Sequence, residues 1–230
     1  MSQEVNGTPA DGLKEEPVRE TSGGSKNLRK ISEILAVIFH PVFIPLYGLL
    51  IIYSSHTLLS FIPAQMKRMI FILVMANNVL LPLALAAVLH ARGDIASFHA
   101  RGRNERVLLL TFALMMYSLT AFVLLRMQVP TLFKAYFISI AVVTLVTLVV
   151  TTISRISLHA AGFGGVLMLV VTMIILYQIS MVWQLVAVLL TGGAVMSSRI
   201  WRGDHNAAEV WTGLLTGAAV MGLSLFIMLK

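Results

Sequence analysis

The sequence predicts an all-α fold, a polytopic transmembrane helical bundle of six to seven spans, on three observations. Of 230 residues, 58% are hydrophobic and only 12% charged, where soluble domains carry about a quarter. Mean hydropathy is +0.88. Apolar runs of about twenty residues, the length that crosses roughly 30 Å of hydrocarbon, recur along the chain. The absence of Cys excludes a disulfide framework, a thiolate nucleophile and a thiolate metal site. A net charge of +7 fits loops facing anionic lipid head groups better than nucleic acid, and no nucleic-acid partner is expected.

Residues 1–30 read as a disordered tail of cytoplasmic type, followed by a helical domain over 31–230. Up to Ser25 the tail mixes Glu, Asp, Lys and Arg with Gly, Ser and Pro and has almost no apolar residue, so it cannot bury a core. It lacks the apolar stretch of a signal peptide. Spans are expected at 34–53, 69–89, 107–125, 132–153, 160–177, 181–196 and 207–228. Six remain if the first is peripheral. The fifth and sixth, separated by Gln178, Ile179 and Ser180, should form a tight helical hairpin. His40-Pro41 and Pro45 in the first span, with Asn77, Asn78 and Pro82 in the second, read most simply as kinks and interhelical hydrogen bonds. Their alternative is cavity lining, because intramembrane polar groups are costly and often functional. Gly162, Gly164 and Gly165 suit close helix approach.

Three polar islands interrupt this pattern, at 94–106, 154–159 and 197–213. Two spans separate each from the next, so all three belong on one face of the membrane. The opposite loops hold His56, Lys67, Arg68, Arg126 and Lys134 without a His-carboxylate pair. In the first island, a helix would align His99, Arg103 and Arg106 in a stripe able to grip phosphate oxygens. The plain alternative is a basic loop obeying the positive-inside rule. In the second, Ser157 stands at a helix N-cap and His159 in the first turn, where unpaired backbone N–H groups favour an anion. His159 is then placed to protonate a leaving oxygen. An interfacial His is its alternative. In the third, a helix beginning near His205 sets His205 and Glu209 at i and i+4. The carboxylate would hold one ring nitrogen and leave the other to attack.

This inventory fits phosphoryl transfer with neither metal nor cofactor. His205 attacks phosphorus, Glu209 orients it, arginines carry the oxyanions, and His159 protonates the departing alcohol.

The islands, in their order and spacing, resemble the three signatures of the type 2 phosphatidic acid phosphatase and haloperoxidase superfamily. Ser198, Arg199, His205 and Glu209 match the third signature, with Glu in place of Asp. Ile156-Ser157-Leu158-His159 keeps the Ser and His of the second and lacks its Pro and Gly. His99, six residues, Arg106-Val107 stands where the first has Lys, six residues, Arg-Pro. The resemblance covers roughly 94–230, and the third signature is its specific part. It implies His205 as nucleophile, His159 as acid, and Arg106 and Arg199 as phosphate ligands.

The expected function is therefore a membrane-embedded phosphatase that hydrolyses a lipid or isoprenoid phosphate monoester or diphosphate through a phosphohistidine. Its catalytic residues are His205, His159 and Glu209. Its phosphate ligands are Arg199, Arg106, Arg103, His99 and Ser157. The expected partners are an amphiphilic lipid phosphate and the surrounding membrane lipids. Two alternatives stand: a catalytically impaired relative that binds anionic lipid, and a small membrane transporter. The expected compartment is a bacterial inner membrane, with the site facing the cytoplasm. On that reading 12 Lys and Arg lie on the site's side against 5 opposite.

Overall fold

The computed structural model describes residues 24–55, 62–93 and 102–230, with side chains from residue 27. The described residues are helical, with no strand. They form α1 (Gly24–Ile38), a 3-10 turn (Pro41–Phe43), α2 (Ile44–Tyr53), α3 (Ala64–Val74), a π-helical turn (Met75–Leu80) and α4 (Leu81–Arg92). There follow α5 (Arg103–Arg126), α6 (Thr131–Ile153), α7 (Leu158–Tyr177), α8 (Val182–Trp201) and α9 (Ala207–Leu229). Seven helical stretches are long and apolar enough to cross a membrane: α1 joined to α2, α3 joined to α4, and α5 to α9 singly. The outer faces agree with lipid as the solvent, since Trp183 is 84% and Ile153 80% exposed.

Helix α1 corrects the expected boundary at residue 30. It begins at Gly24, so residues 24–30 are helical, whereas 1–23 lie outside the described residues. Composition hid the spacing. Arg29 and Glu33 pair at i and i+4 (3.3 Å), and Leu28, Ile31, Ile34 and Ile38 share an apolar flank.

Helix α1 ends at His40-Pro41. His40 adopts extended backbone, its Nδ1 accepting the Val42 N–H at 3.4 Å, and Pro41 cannot continue the ladder of hydrogen bonds. The second span bends at its π turn. There the Thr120 hydroxyl donates to Asn78 Oδ1 (2.7 Å) and Asn77 Nδ2 donates to Thr120 Oγ1 (3.4 Å). The Asn pair thus ties this span to α5, as the simpler reading of the sequence had it.

Helices α7 and α8 meet through 178–181, with Gln178 left-handed at φ +51°, which is the tight hairpin expected. The closest packing joins α7 to α9. A Cβ on Gly217 would collide with the Ala161 carbonyl, one on Gly164 with the Leu214 carbonyl, and one on Gly213 with the Ser157 carbonyl. Bare glycines let the two backbones touch. That contact brings the start of α7 against the start of α9.

Candidate active site at the helix ends

Three turns meet at one end of the bundle. The Ser157 N–H donates to the Glu209 carbonyl at 3.2 Å, joining the second and third islands backbone to backbone. Ser157 caps α7, its Oγ accepting the Ala160 N–H at 3.5 Å. His159 in the first turn is 4% exposed.

Arg199 comes from within α8, which extends through Trp201, so the third island starts as helix and only then becomes a loop. Gly203 ends that helix at φ +70°, a left-handed conformation that glycine adopts without steric cost. The return folds 204–205 back, and the Arg199 carbonyl accepts from the Asp204 N–H (3.1 Å) and the His205 N–H (3.4 Å).

Helix α9 starts at Ala207, capped by Asn206, whose Oδ1 accepts the Glu209 N–H at 2.8 Å. His205 therefore stands two residues before the helix, which begins near it as expected. Its ring still reaches Glu209: Nδ1 donates to Oε2 at 2.7 Å. Because the carboxylate is acceptor only, the proton sits on Nδ1 and the lone pair on Nε2. The His205 side chain, 10% exposed, borders the central cavity. Burial pushes its pKa below the ordinary 6.5. Glu209 opposes that shift, while Arg199 and Arg106 add to it. The ring is thus neutral at neutral pH, as a nucleophile must be.

The Arg199 guanidinium is divided between two partners. Nη1 donates to Asp204 Oδ2 (2.9 Å) and Nη2 to His159 Nδ1 (3.1 Å). An arginine can only donate, so His159 is neutral here with its proton on Nε2. Two N–H groups of this cluster, Arg199 Nε and Arg202 Nη1, are buried and make no hydrogen bond among the described residues. The Ala36 backbone is the hydrogen-bonding neighbour of the His159 ring. Buried donors without acceptors are rare in folded proteins. On arginines, such donors suit an acceptor of negative charge.

Of the residues expected from sequence, His159, Arg199, His205 and Glu209 come together. Arg106, near the start of α5, borders the same cavity and lies within electrostatic reach of Glu209, Arg199 and His205. Ser157 serves as a cap behind His159 rather than facing the cavity. Arg103 is exposed at the first position of α5 and is not among the cavity-lining residues. His99 lies outside the described residues, and with α5 starting at Arg103 the expected stripe is described only at Arg103 and Arg106.

Sequence reasoning missed four neighbours. His40 stacks edge-on to His159 at 5.9 Å between ring centroids. Its place beside Pro41 reads as a kink or as cavity lining, and it is both, since His40, Pro41, Pro45 and Pro82 border the cavity. Asp204 bridges Arg199 and Arg202, at 2.9 and 3.3 Å. Arg155 adds positive charge beside Arg106. The signal for Asp204 and Arg202 was their place inside the third island; nothing in the spacing singled them out.

No protein-family model, curated protein or solved structure matches the chain.

Proposed function

We propose that the protein is a membrane-embedded phosphatase acting on a lipid or isoprenoid phosphate ester, a divergent relative of the type 2 phosphatidic acid phosphatase superfamily. One observation carries this reading. Buried arginine N–H groups without acceptors stand in the same cluster as a neutral imidazole whose Nδ1 is held by a carboxylate. The donors suit phosphate oxygens. The imidazole suits attack at phosphorus.

In the reaction, substrate phosphate takes the guanidinium of Arg199 away from Asp204 and His159, and Arg106 and Arg202 add further donors. Freed at Nδ1, His159 accepts a second proton from solvent, which it gives back to solvent when Arg199 returns to Nδ1 after product release. His205 Nε2 gives its lone pair to phosphorus, the bond from phosphorus to the alcohol oxygen breaks, and that oxygen takes the Nε2 proton of His159. Glu209 balances the positive charge that appears on the phosphorylated ring. A water molecule then gives a proton to His159 Nε2 while its oxygen attacks phosphorus. The phosphorus–nitrogen bond breaks, returning His205 and releasing inorganic phosphate.

The test is phosphate release from hexadecyl phosphate by the detergent-purified protein, with acid-labile, base-stable phosphoprotein trapped on rapid denaturation. His205→Ala should abolish both. A parent as inert as that variant, yet retaining phosphate-dependent lipid binding, would overturn catalysis and favour the anionic-lipid-binding relative. The grip of Asp204 and His159 on Arg199 is the observation on that side. Transport has less support, because Asn77 and Asn78 bond to Thr120 and are not among the residues lining the cavity.

A further inference from the structure

Behind the polar cluster lies a cavity of about 700 Å³ whose polar and apolar parts are separated. At one end stand His40, His90, Arg106, His159, Arg199 and His205; the remainder is bounded mainly by apolar side chains of α1, the 3-10 turn, α2 and α4 to α7. It runs along α5 from Arg106 past Ala113 to Tyr117. Eleven residues of helix separate the first from the last, about 16 Å at 1.5 Å per residue. The hydrocarbon core is roughly 30 Å thick, so the pocket descends about one leaflet. It also reaches the outer face, since Val37 on its wall is 62% exposed.

These dimensions say more than that the ligand is amphiphilic. An extended alkyl chain advances about 1.25 Å per carbon from tetrahedral C–C geometry, so the roughly 16 Å from Arg106 to Tyr117 corresponds to about 13 carbons, and Ile140 on the same wall, thirteen residues from Ile153 and about 20 Å down, to about 16. At the packing density of protein interiors a methylene occupies roughly 25 Å³. The cavity then has room for the equivalent of about 28 methylenes. One chain of twelve to sixteen carbons fits with its phosphate. A second chain, or about half of a polyprenyl tail of some 55 carbons, would have to remain outside in the lipid.

We propose that this cavity is a single-tail pocket: the protein binds phosphate esters bearing one long chain, of about twelve to sixteen carbons, with the chain enclosed between α2 and α4 to α7 and the phosphate at Arg199 and Arg106. This specificity rests on the phosphatase reading for its head-group end, whereas the tail pocket stands on the shape of the cavity. Ala113 and Val143, both on the cavity wall, set graded stops. Ala113 is seven residues from Arg106 on α5, about 10 Å down. Val143 is ten residues from Ile153 at the site's end of α6, about 15 Å down.

The experiment uses the full chain in detergent at fixed surface mole fraction. Turnover of n-alkyl phosphates from four to twenty-two carbons is measured alongside binding of the corresponding n-alkyl phosphonates, whose carbon–phosphorus bond resists hydrolysis. Dipalmitoyl phosphatidic acid and a polyprenyl phosphate serve as bulky comparisons. Affinity should rise at least tenfold from four carbons to a plateau near twelve to sixteen, and both bulky lipids should fall at least tenfold below it. Ala113→Phe should move the plateau to about eight carbons and Val143→Phe to about twelve, with binding of butyl phosphonate retained as evidence of a folded head-group site. Chain-dependent phosphonate binding without any turnover would support the pocket and overturn the phosphatase reading. Turnover indifferent to chain length, or a plateau unmoved in both variants, would overturn the pocket and leave the phosphatase reading standing. Two variants at different depths guard against misfolding of either one.

Discussion

Replacing Glu209 with Gln isolates the charge that holds the candidate nucleophile. The substitution keeps the shape and an oxygen acceptor for His205 Nδ1, now 2.7 Å from Oε2, but removes the negative charge. The pair is mostly withdrawn from solvent, at 10% and 19% side-chain exposure. A hydrogen bond to a charged partner contributes about 1.5–3 kcal/mol. Here it gains strength as the ring becomes positive on phosphorylation, so the loss falls on the transition state. At about 1.36 kcal/mol per decade, kcat should drop about 10- to 150-fold, with KM little changed, because Glu209 does not touch the phosphate. A second readout follows from the titration. Glu209 is what resists the downward shift of His205, so its loss lowers that pKa further and carries the acidic limb of the rate profile to lower pH. Glu209→Asp, which restores the charge on a shorter arm, should recover more activity than Gln. The assay is phosphate release from hexadecyl phosphate with single-turnover phosphoenzyme formation. A loss below threefold together with an unmoved acidic limb would refute the assignment of Glu209 as the group that orients and balances His205.

Four further outcomes are expected. On the acidic side the wild-type rate should fall as pH drops below the depressed pKa of His205, tenfold per unit, because protonation removes the lone pair; an acidic limb above pH 7 contradicts this. Arg199→Lys should raise KM at least tenfold by replacing a planar fork with a point charge, and an unchanged KM would place the phosphate elsewhere. Asp204→Asn keeps a hydrogen-bonding group beside Arg199 but withdraws the competing charge, so KM should fall severalfold; a rise would mean that Asp204 positions Arg199 for substrate. Gly217→Val puts side-chain atoms where the Ala161 carbonyl sits and should cost about 3 kcal/mol or more, read as a lowered thermal transition in detergent or lost folded yield.

The spans were legible because lipid imposes one rule on all of them: twenty apolar residues with every backbone group bonded inside the segment. The expected bounds differ from α5 to α9 by only a few residues. The largest departure is at the end of the sixth span, where Ser197 to Trp201 remain helical although polar. Arg199 turns toward the site and the Ser198 hydroxyl bonds back to the Val195 carbonyl, and hydropathy averaged around a helix cannot register direction. The same limit hid α1, whose charges cancel its apolar flank in any average. At the site, His205, Glu209, Arg199 and His159 were legible because they lie near helix ends at fixed spacings. His40 and Asp204 were not: His40 is set by how the 3-10 turn docks on α7, and Asp204 by the left-handed turn at Gly203. Arg103 stands exposed at the first position of α5, off the cavity wall, and of the expected stripe only Arg106 borders the cavity among the described residues.

The resting site is arranged to wait for an anion without standing empty of charge. A guanidinium drawn away from water is costly unless a partner meets it, and Arg199, 6% exposed, meets Asp204 and His159. That internal pairing cannot neutralise the whole cluster. Arg106, Arg155, Arg199 and Arg202 stand against Asp204 and Glu209, and both imidazoles of the proposed reaction are neutral in this structure, so two positive charges remain over. A phosphate monoester near neutral pH carries between one and two negative charges, close to the amount left uncompensated. Its arrival therefore exchanges one counter-ion for another at Arg199 instead of adding charge to a neutral pocket. The exchange also fixes an order of events. While Arg199 donates to His159 Nδ1, that ring cannot hold a second proton, so His159 cannot act as an acid until phosphate has taken the guanidinium away, and proton delivery to the leaving oxygen is confined to the complex that needs it.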